Sequence, residues 1–294
     1  MPGGEPASGA VEEARARLTG RAPGPSSQGL DILERASTGG DAQASILLAA
    51  LNAAGAWTRQ DWPRALSLLE RASTQGSGSA AAQLDLLTEN AGLTRINDAP
   101  ERRKLCEAPR VRTCTGIISP AQCDWLTGQA RGRLERAAVI DAMSAEQHSS
   151  ARTNRAALFE VFDQDCVMAF ARQRMALALN LPVSAMENPQ VLHYAVGQEF
   201  LPHVDYLARP GDAAPAGERI ATFLIYLSED FDAGETWFVR ADLKVKPAKG
   251  DAVFFANVTP DGAPDPQSLH AGLAPTRGEK WVLSQWVRDR SFGT

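Results

Sequence analysis

A chain of 294 residues, 44% hydrophobic and 22% charged, has ordinary globular composition, and its length suits about two domains. Thirty basic against 35 acidic residues leave a net charge of -5, so no broad basic field exists for a nucleic acid backbone, and nucleic acid is not an expected partner. No apolar run reaches the roughly 18 residues that span a bilayer, the first residues lack a signal-peptide pattern, and Cys106, Cys114, Cys123 and Cys166 form no CxxC pair; these features predict no membrane partner and a cytoplasmic protein with reduced thiols.

In chain order, residues 1–26 are rich in Gly and Pro around a short apolar segment at 11–18 and read as a flexible leader. Residues 27–95 read as a small α-helical repeat domain. Leu30 to Thr38 and Leu66 to Thr74 match in seven of nine positions at an offset of 36, and Gly40/Gly76, Ala44/Ala80, Leu48/Leu84 and Leu51/Leu87 continue the match. A period in the middle thirties, with Gly ending each half, is the mark of stacked helical hairpins, and the segment resembles the tetratricopeptide-like repeats of the Sel-like class. About two units cannot cover their own apolar faces, so the array must lean on the rest of the chain. Residues 96–110, polar and broken by Pro100 and Pro109, read as a linker.

From 111 to 294 the pattern turns β-rich. A strand is predicted over 111–118, then a helix capped by Ser119 with Pro120 first inside it and reaching about 137, and a second helix over 164–179. Short β-runs follow at 191–195, 220–227, 235–239, 251–255 and 281–287, separated by turns such as Lys249-Gly250 and Arg277-Gly278, as in an antiparallel barrel or jelly roll. The fold class is therefore α+β.

Only four histidines occur: His148, His193, His203 and His270. His203-Val204-Asp205 lies on or beside a β-run, where i, i+2 spacing puts both side chains on one face. His270 supplies a third donor just before the last strands. Two histidines and one carboxylate on one face of a metal form the facial triad of non-haem Fe(II) oxygenases. Alone, the HxD tripeptide is common by chance and more often marks two unrelated surface polar residues. Its surroundings are more specific. The stretch from Gln190 through His193-Tyr194, Gly197 and Pro202 to Tyr206 resembles the prolyl 4-hydroxylase family of 2-oxoglutarate-dependent dioxygenases. Arg219 to Leu227, then Gly234-Glu235-Thr236-Trp237-Phe238 with Ala233 in place of the family's first glycine, continue the resemblance in order. Lys246-Pro247, Gly250 to Phe255, His270, Gly278-Glu279-Lys280-Trp281 and Trp286 complete it, over about 110–291.

The resemblance implies a double-stranded β-helix (jelly roll) catalytic domain at 111–294. It implies that His203, Asp205 and His270 bind Fe(II) and that Lys280, ten residues after His270, pairs with the far carboxylate of 2-oxoglutarate. Tyr226 is implied as a second contact for that carboxylate, with Tyr194 lining the iron or co-substrate pocket and Trp286 beside it; packing alone accounts for these three aromatic residues as well. O2 is the co-reactant, succinate and CO2 are products, and ascorbate accompanies many members. The implied partner is a protein or peptide whose prolyl residue is hydroxylated, docked in part by the N-terminal repeats. Loops at 207–218 and 141–156, the second holding Arg152, would flank the entrance. Two other readings stand beside this one: hydroxylation of a free amino acid or other small molecule, and a repeat-based interaction module with a catalytically silent β-helix.

Overall fold

A computed structural model of the chain describes residues 7–89, 96–137, 151–207 and 217–291. His148 and most of both expected entrance loops lie outside the described residues. The chain divides into two compact units, one made of residues 1–97 and 160–173, the other of 98–159 and 174–293.

The first unit is helical. α1 (Gly9–Leu18), capped by the Ser8 hydroxyl, buries Val11, Ala14 and Leu18, so the expected flexible leader is corrected: three apolar residues at i, i+3 and i+7 give it a core-facing stripe. α2 (Ser27–Thr38) and α3 (Ala42–Ala54) recur as α4 (Trp62–Thr74) and α5 (Gly78–Thr88), α3 and α5 starting 36 residues apart as the sequence period requires. α3 is apolar almost all round and buried from Leu47 through Ala53. Residues 160–173 join this unit: Phe162 stacks on Trp57 with ring centres 5.2 Å apart, Phe170 meets Trp62 edge-on at 6.4 Å, and the Cys166 amide donates to Gln83 Oε1 at 3.1 Å. The expected boundaries at 27–95 and 111–294 therefore miss an insertion. Helix α7 (Cys166–Leu179) is divided between the units.

The second unit is built on antiparallel sheets. Its chain order is β1 (Arg103–Glu107), β2 (Arg110–Cys114), α6 (Pro120–Arg131), β3 (Glu135–Arg136), β4 (Arg155–Leu158), the second half of α7, β5 (Gln190–Tyr194), β6 (Phe200–His203), β7 (Arg219–Tyr226), β8 (Asp232–Ala233), β9 (Thr236–Phe238), β10 (Leu243–Val245), β11 (Ala252–Ala256), β12 (His270–Gly272), β13 (Pro275–Arg277) and β14 (Lys280–Arg288). One eight-stranded sheet runs β1-β2-β11-β7-β14-β5-β4-β3, a four-stranded sheet runs β10-β9-β12-β6, and β13 pairs with β8. The expected linker at 96–110 is a second correction, because β1 lies inside it and pairs with β2. Its side chains are charged and mostly exposed, which hides an edge strand from a search for apolar alternation. Helix α6 ends at Arg131 rather than near 137, and its Ser119 and Gln122 form a reciprocal capping box.

Between the two main sheets lies an apolar core that includes Val111, Leu192, Leu224, Phe231, Phe238, Val253, Phe255 and Val282. The turn before β9 shows what the Ala-for-Gly departure entails. Ala233 has φ 57° and Gly234 φ 72°, both left-handed, so Ala233 holds a conformation that costs a non-glycine residue about 1–2 kcal/mol.

Candidate active site

Register brings the expected metal ligands together. In the four-stranded sheet β12 pairs with β6 so that His270 stands directly opposite His203, with ring centres 4.3 Å apart. Asp205 lies two residues past the end of β6, beside the strand rather than on it, and its carboxylate turns back: Oδ1 is 3.7 Å from His203 Nε2 and Oδ2 is 3.6 Å from His270 Nε2. One donor atom from each of the three residues falls within 4.8 Å of the others.

Both imidazoles are held in one tautomer. His203 Nδ1 lies 2.8 Å from the Leu201 carbonyl and His270 Nδ1 2.9 Å from that of Ser268. A carbonyl only accepts, so each Nδ1 donates and each Nε2 keeps its lone pair facing Asp205 and its neighbour. Aromatic rings clamp them: Phe200 stacks on His203 at 3.5 Å and Phe255 meets His270 edge-on at 4.6 Å. Burial, with the His270 ring beside it, pushes His203 down to about 3, so it is neutral and ready to ligate. Burial alone would raise the Asp205 carboxyl, but the two imidazoles, a hydrogen bond from Thr222 and the charge of Arg219 together hold it below the ordinary carboxylate value.

Thr222, on β7, donates to Asp205 Oδ2 at 2.6 Å and accepts from Asn257 Nδ2 at 3.0 Å. The sequence reading missed both residues. Their signal is a hydroxyl and an amide at fully buried positions in or beside apolar β-runs, visible only once burial is known. Thr222→Val is expected to weaken metal binding about 10- to 100-fold, the usual cost of removing an outer partner of a ligand, and to lower Tm by orphaning the Asn257 amide. Anaerobic calorimetry with Mn(II) and a thermal melt check both effects.

The cavity around the triad encloses about 460 Å3, counting the part open to solvent. Its wall alternates as a strand must: Lys280, Val282, Ser284 and Trp286 all face it from β14, and Leu192 and Tyr194 from β5. Lys280 stands opposite Tyr194 in register, 2% exposed, with its ammonium 4.8 Å from the Tyr194 ring centre and 5.4 Å from that of Tyr226. Burial lowers its pKa to about 7, and no carboxylate among the described residues pairs with it. Gly272 lets the Tyr194 hydroxyl close on the cavity, since a Cβ there would lie 2.9 Å from that oxygen. Burial raises the Tyr194 phenol to about 12, so it stays a donor.

Tyr226 is placed differently from Tyr194. Its hydroxyl bonds Thr236 Oγ1 at 2.9 Å and donates to the Val245 carbonyl at 3.3 Å, and Thr236, not Tyr226, lines the cavity. Trp286 faces the cavity with the Arg219 guanidinium stacked 3.6 Å from its ring centre, and Arg219 is itself gripped by Glu187, which also takes Arg288. Arg152, expected on a loop lip, is 4% exposed in the cavity wall over Phe200. His193 points to the opposite face of β5 against Trp281, away from the metal site.

The donor set fits a divalent iron with open positions: two imidazoles, one carboxylate and no thiolate. The buried Lys280, in no ion pair among the described residues, fits the distal carboxylate of a dicarboxylate co-substrate bound in the same cavity. Residues 189–288 match the model of the 2OG-Fe(II) oxygenase superfamily. Among curated proteins, probable prolyl 4-hydroxylase 6 of Arabidopsis thaliana is 34% identical over 209 residues, which is 65% of this chain and 73% of that protein. Prolyl 4-hydroxylase 1 of the same plant is 32% identical, over 63% of this chain and 70% of its own length. Among solved structures, the viral collagen prolyl hydroxylase of Paramecium bursaria Chlorella virus-1 in its 2OG complex is 27% identical with a TM-score of 0.49, over 62% of this chain and 98% of that one.

Proposed function

The chain belongs to the prolyl 4-hydroxylase family of Fe(II)- and 2-oxoglutarate-dependent dioxygenases, and from that premise we propose that it hydroxylates a prolyl residue of a peptide or protein. The reaction consumes 2-oxoglutarate and O2 and releases succinate and CO2. The observation that carries this reading is the meeting, in one buried cavity, of the His203, Asp205 and His270 donors with a lysine that forms no ion pair among the described residues.

His203, Asp205 and His270 would hold iron, which when bound supplies the oxygen-activating chemistry. The chain's own residues do the rest. Leu201 and Ser268 orient the imidazoles, while Thr222 and Asn257 fix the carboxylate rotamer. Lys280 and the Tyr194 hydroxyl would bind the far carboxylate of 2-oxoglutarate and so set the co-substrate's register along β14. Tyr226 supports this end indirectly by holding Thr236. Phe200, Leu192, Val282 and Trp286 give the cavity dry walls that keep water from the reacting centre. The test is direct: with Fe(II) and 2-oxoglutarate, a proline-rich peptide should gain one oxygen on proline, with equimolar succinate. Hydroxylation of free proline in preference to the peptide would replace this reading with a small-molecule one.

The Lys280 ammonium gives the site a pH signature. Lys280 titrates near 7 in the protein and well above that in an unfolded chain, so the co-substrate-free protein gains stability as pH rises from about 7 toward 10, where the unfolded chain still holds the proton. Binding of 2-oxoglutarate needs the charged form. Its affinity is therefore expected to be flat below about pH 7 and to weaken by up to tenfold per pH unit above it, checked by calorimetry between pH 6 and 9.

The helical unit is part of the proposal as a docking element for the polypeptide. A groove of about 840 Å3, counting space open to solvent, is lined by Leu30, Glu34, Leu48, Asn52, Arg59 and Arg64 among others. Substitution of Arg59 by Glu should raise KM for a protein target while leaving KM for a short peptide unchanged. We also propose a cytoplasmic location. All four cysteines are unpaired, and burial raises Cys114 and Cys123 to about 11 and about 12.

A further inference from the structure

Four adjacent strands carry a row of directly paired residues: Arg136 opposite Arg155, Arg155 opposite His193, and His193 opposite Trp281. Residues directly opposite each other in an antiparallel sheet project to the same face. That face is not the one around the metal ligands, because the next pair along, Tyr194 and Lys280, lines the cavity and successive residues alternate. Arg131, at the end of α6, lays its guanidinium 4.8 Å from the Trp281 ring centre and extends the row. His193 and Trp281 are buried and form the floor, while Arg131, Arg136 and Arg155 are exposed.

Like charges facing each other across strands oppose sheet formation. Arg136 and Arg155 do so on a ladder only two residues long, and no acid among the described residues pairs with either; Arg155 donates to the Leu134 carbonyl instead. Glu135, next to Arg136, faces the other way because it pairs with Ala156. His193 adds a nine-tenths buried ring whose Nε2 meets Glu279 alone. The acid in the row, Glu279, sits at the far end, 3.7 Å from Arg131 and 3.5 Å from His193. In a chain of net charge -5, three arginines beside one acid are a local excess of cations.

We propose that this row is a docking strip for an acidic stretch of polypeptide. Strands about 5 Å apart set Arg136 and Arg155 one step apart, with Arg131 about two steps further along the row. Carboxylates on alternate residues of an extended chain are about 7 Å apart and can meet such a series. A single phosphate spans one pair at most. A nucleic acid backbone, anionic throughout, would be repelled by Glu279, whereas a polypeptide can place acids at the Arg136 end and a neutral residue at the other.

The full chain titrated into fluorescein-labelled octaglutamate, with octaglutamine as control, tests this by anisotropy at low salt. The expected result is binding of octaglutamate alone, weakened by salt, and at least tenfold weaker for Arg136→Glu/Arg155→Glu. Arg136→Glu alone, at an exposed position, should weaken binding several-fold at unchanged Tm, and both variants should convert 2-oxoglutarate to succinate without substrate at the wild-type rate. Equal binding of octaglutamine, unchanged affinity in both variants, or equal competition by phosphate or an oligo-dT of eight nucleotides would overturn the proposal.

Discussion

His203→Ala, Asp205→Ala and His270→Ala are each expected to abolish iron-dependent turnover, by three powers of ten or more, while the protein still melts cooperatively. The reason is geometric. Three donors within 4.8 Å of one another define one face of a metal, and two cannot fix which positions stay open. The variants differ in detail. Asp205→Ala removes a charge that two imidazoles and Thr222 are arranged around, while His203, held low by burial, stays neutral. Anaerobic calorimetry with Mn(II), read beside succinate production, checks the set. Wild-type metal affinity in all three variants would remove these residues from the metal site.

Lys280→Met should weaken 2-oxoglutarate binding by about a hundredfold or more, since leaving one member of a buried ion pair without its partner costs about 3–5 kcal/mol. Metal affinity should change less than twofold. The same substitution should raise the Tm of the co-substrate-free protein, because Met keeps the apolar stem and removes a buried ammonium that burial penalises more than the charge of Glu235 offsets. Opposite signs in binding and stability separate a binding lysine from a packing one. Unchanged 2-oxoglutarate affinity would return Lys280 to the role of an ordinary core residue.

Much of this site was legible in the sequence because its chemistry needs rare residues in a fixed order. Four histidines in 294 residues make His203 and His270 conspicuous, and Lys280 stands ten residues after the second of them. What was not legible depends on burial and register. Thr222 and Asn257 are common residue types whose role exists only because β7 and the segment after β11 bring them to Asp205. Tyr226 alternates in phase with Thr222 and Leu224, yet its hydroxyl is taken by Thr236 and Val245, a choice no periodicity reveals. Strand β1 was hidden by its charges, and the helical character of 9–18 by the Gly and Pro around it.

The interleaving of the two units also orders events at the ribosome. Residues 1–97 leave the exit tunnel long before residues 160–173, which supply the ring partners of Trp57 and Trp62. At about 5–20 residues per second, synthesis of residues 98–173 takes several seconds. Through that interval the nascent helices carry two uncovered tryptophan faces, the kind of surface that chaperones bind, and the helical unit can close only after the first strands of the β-unit have already been made.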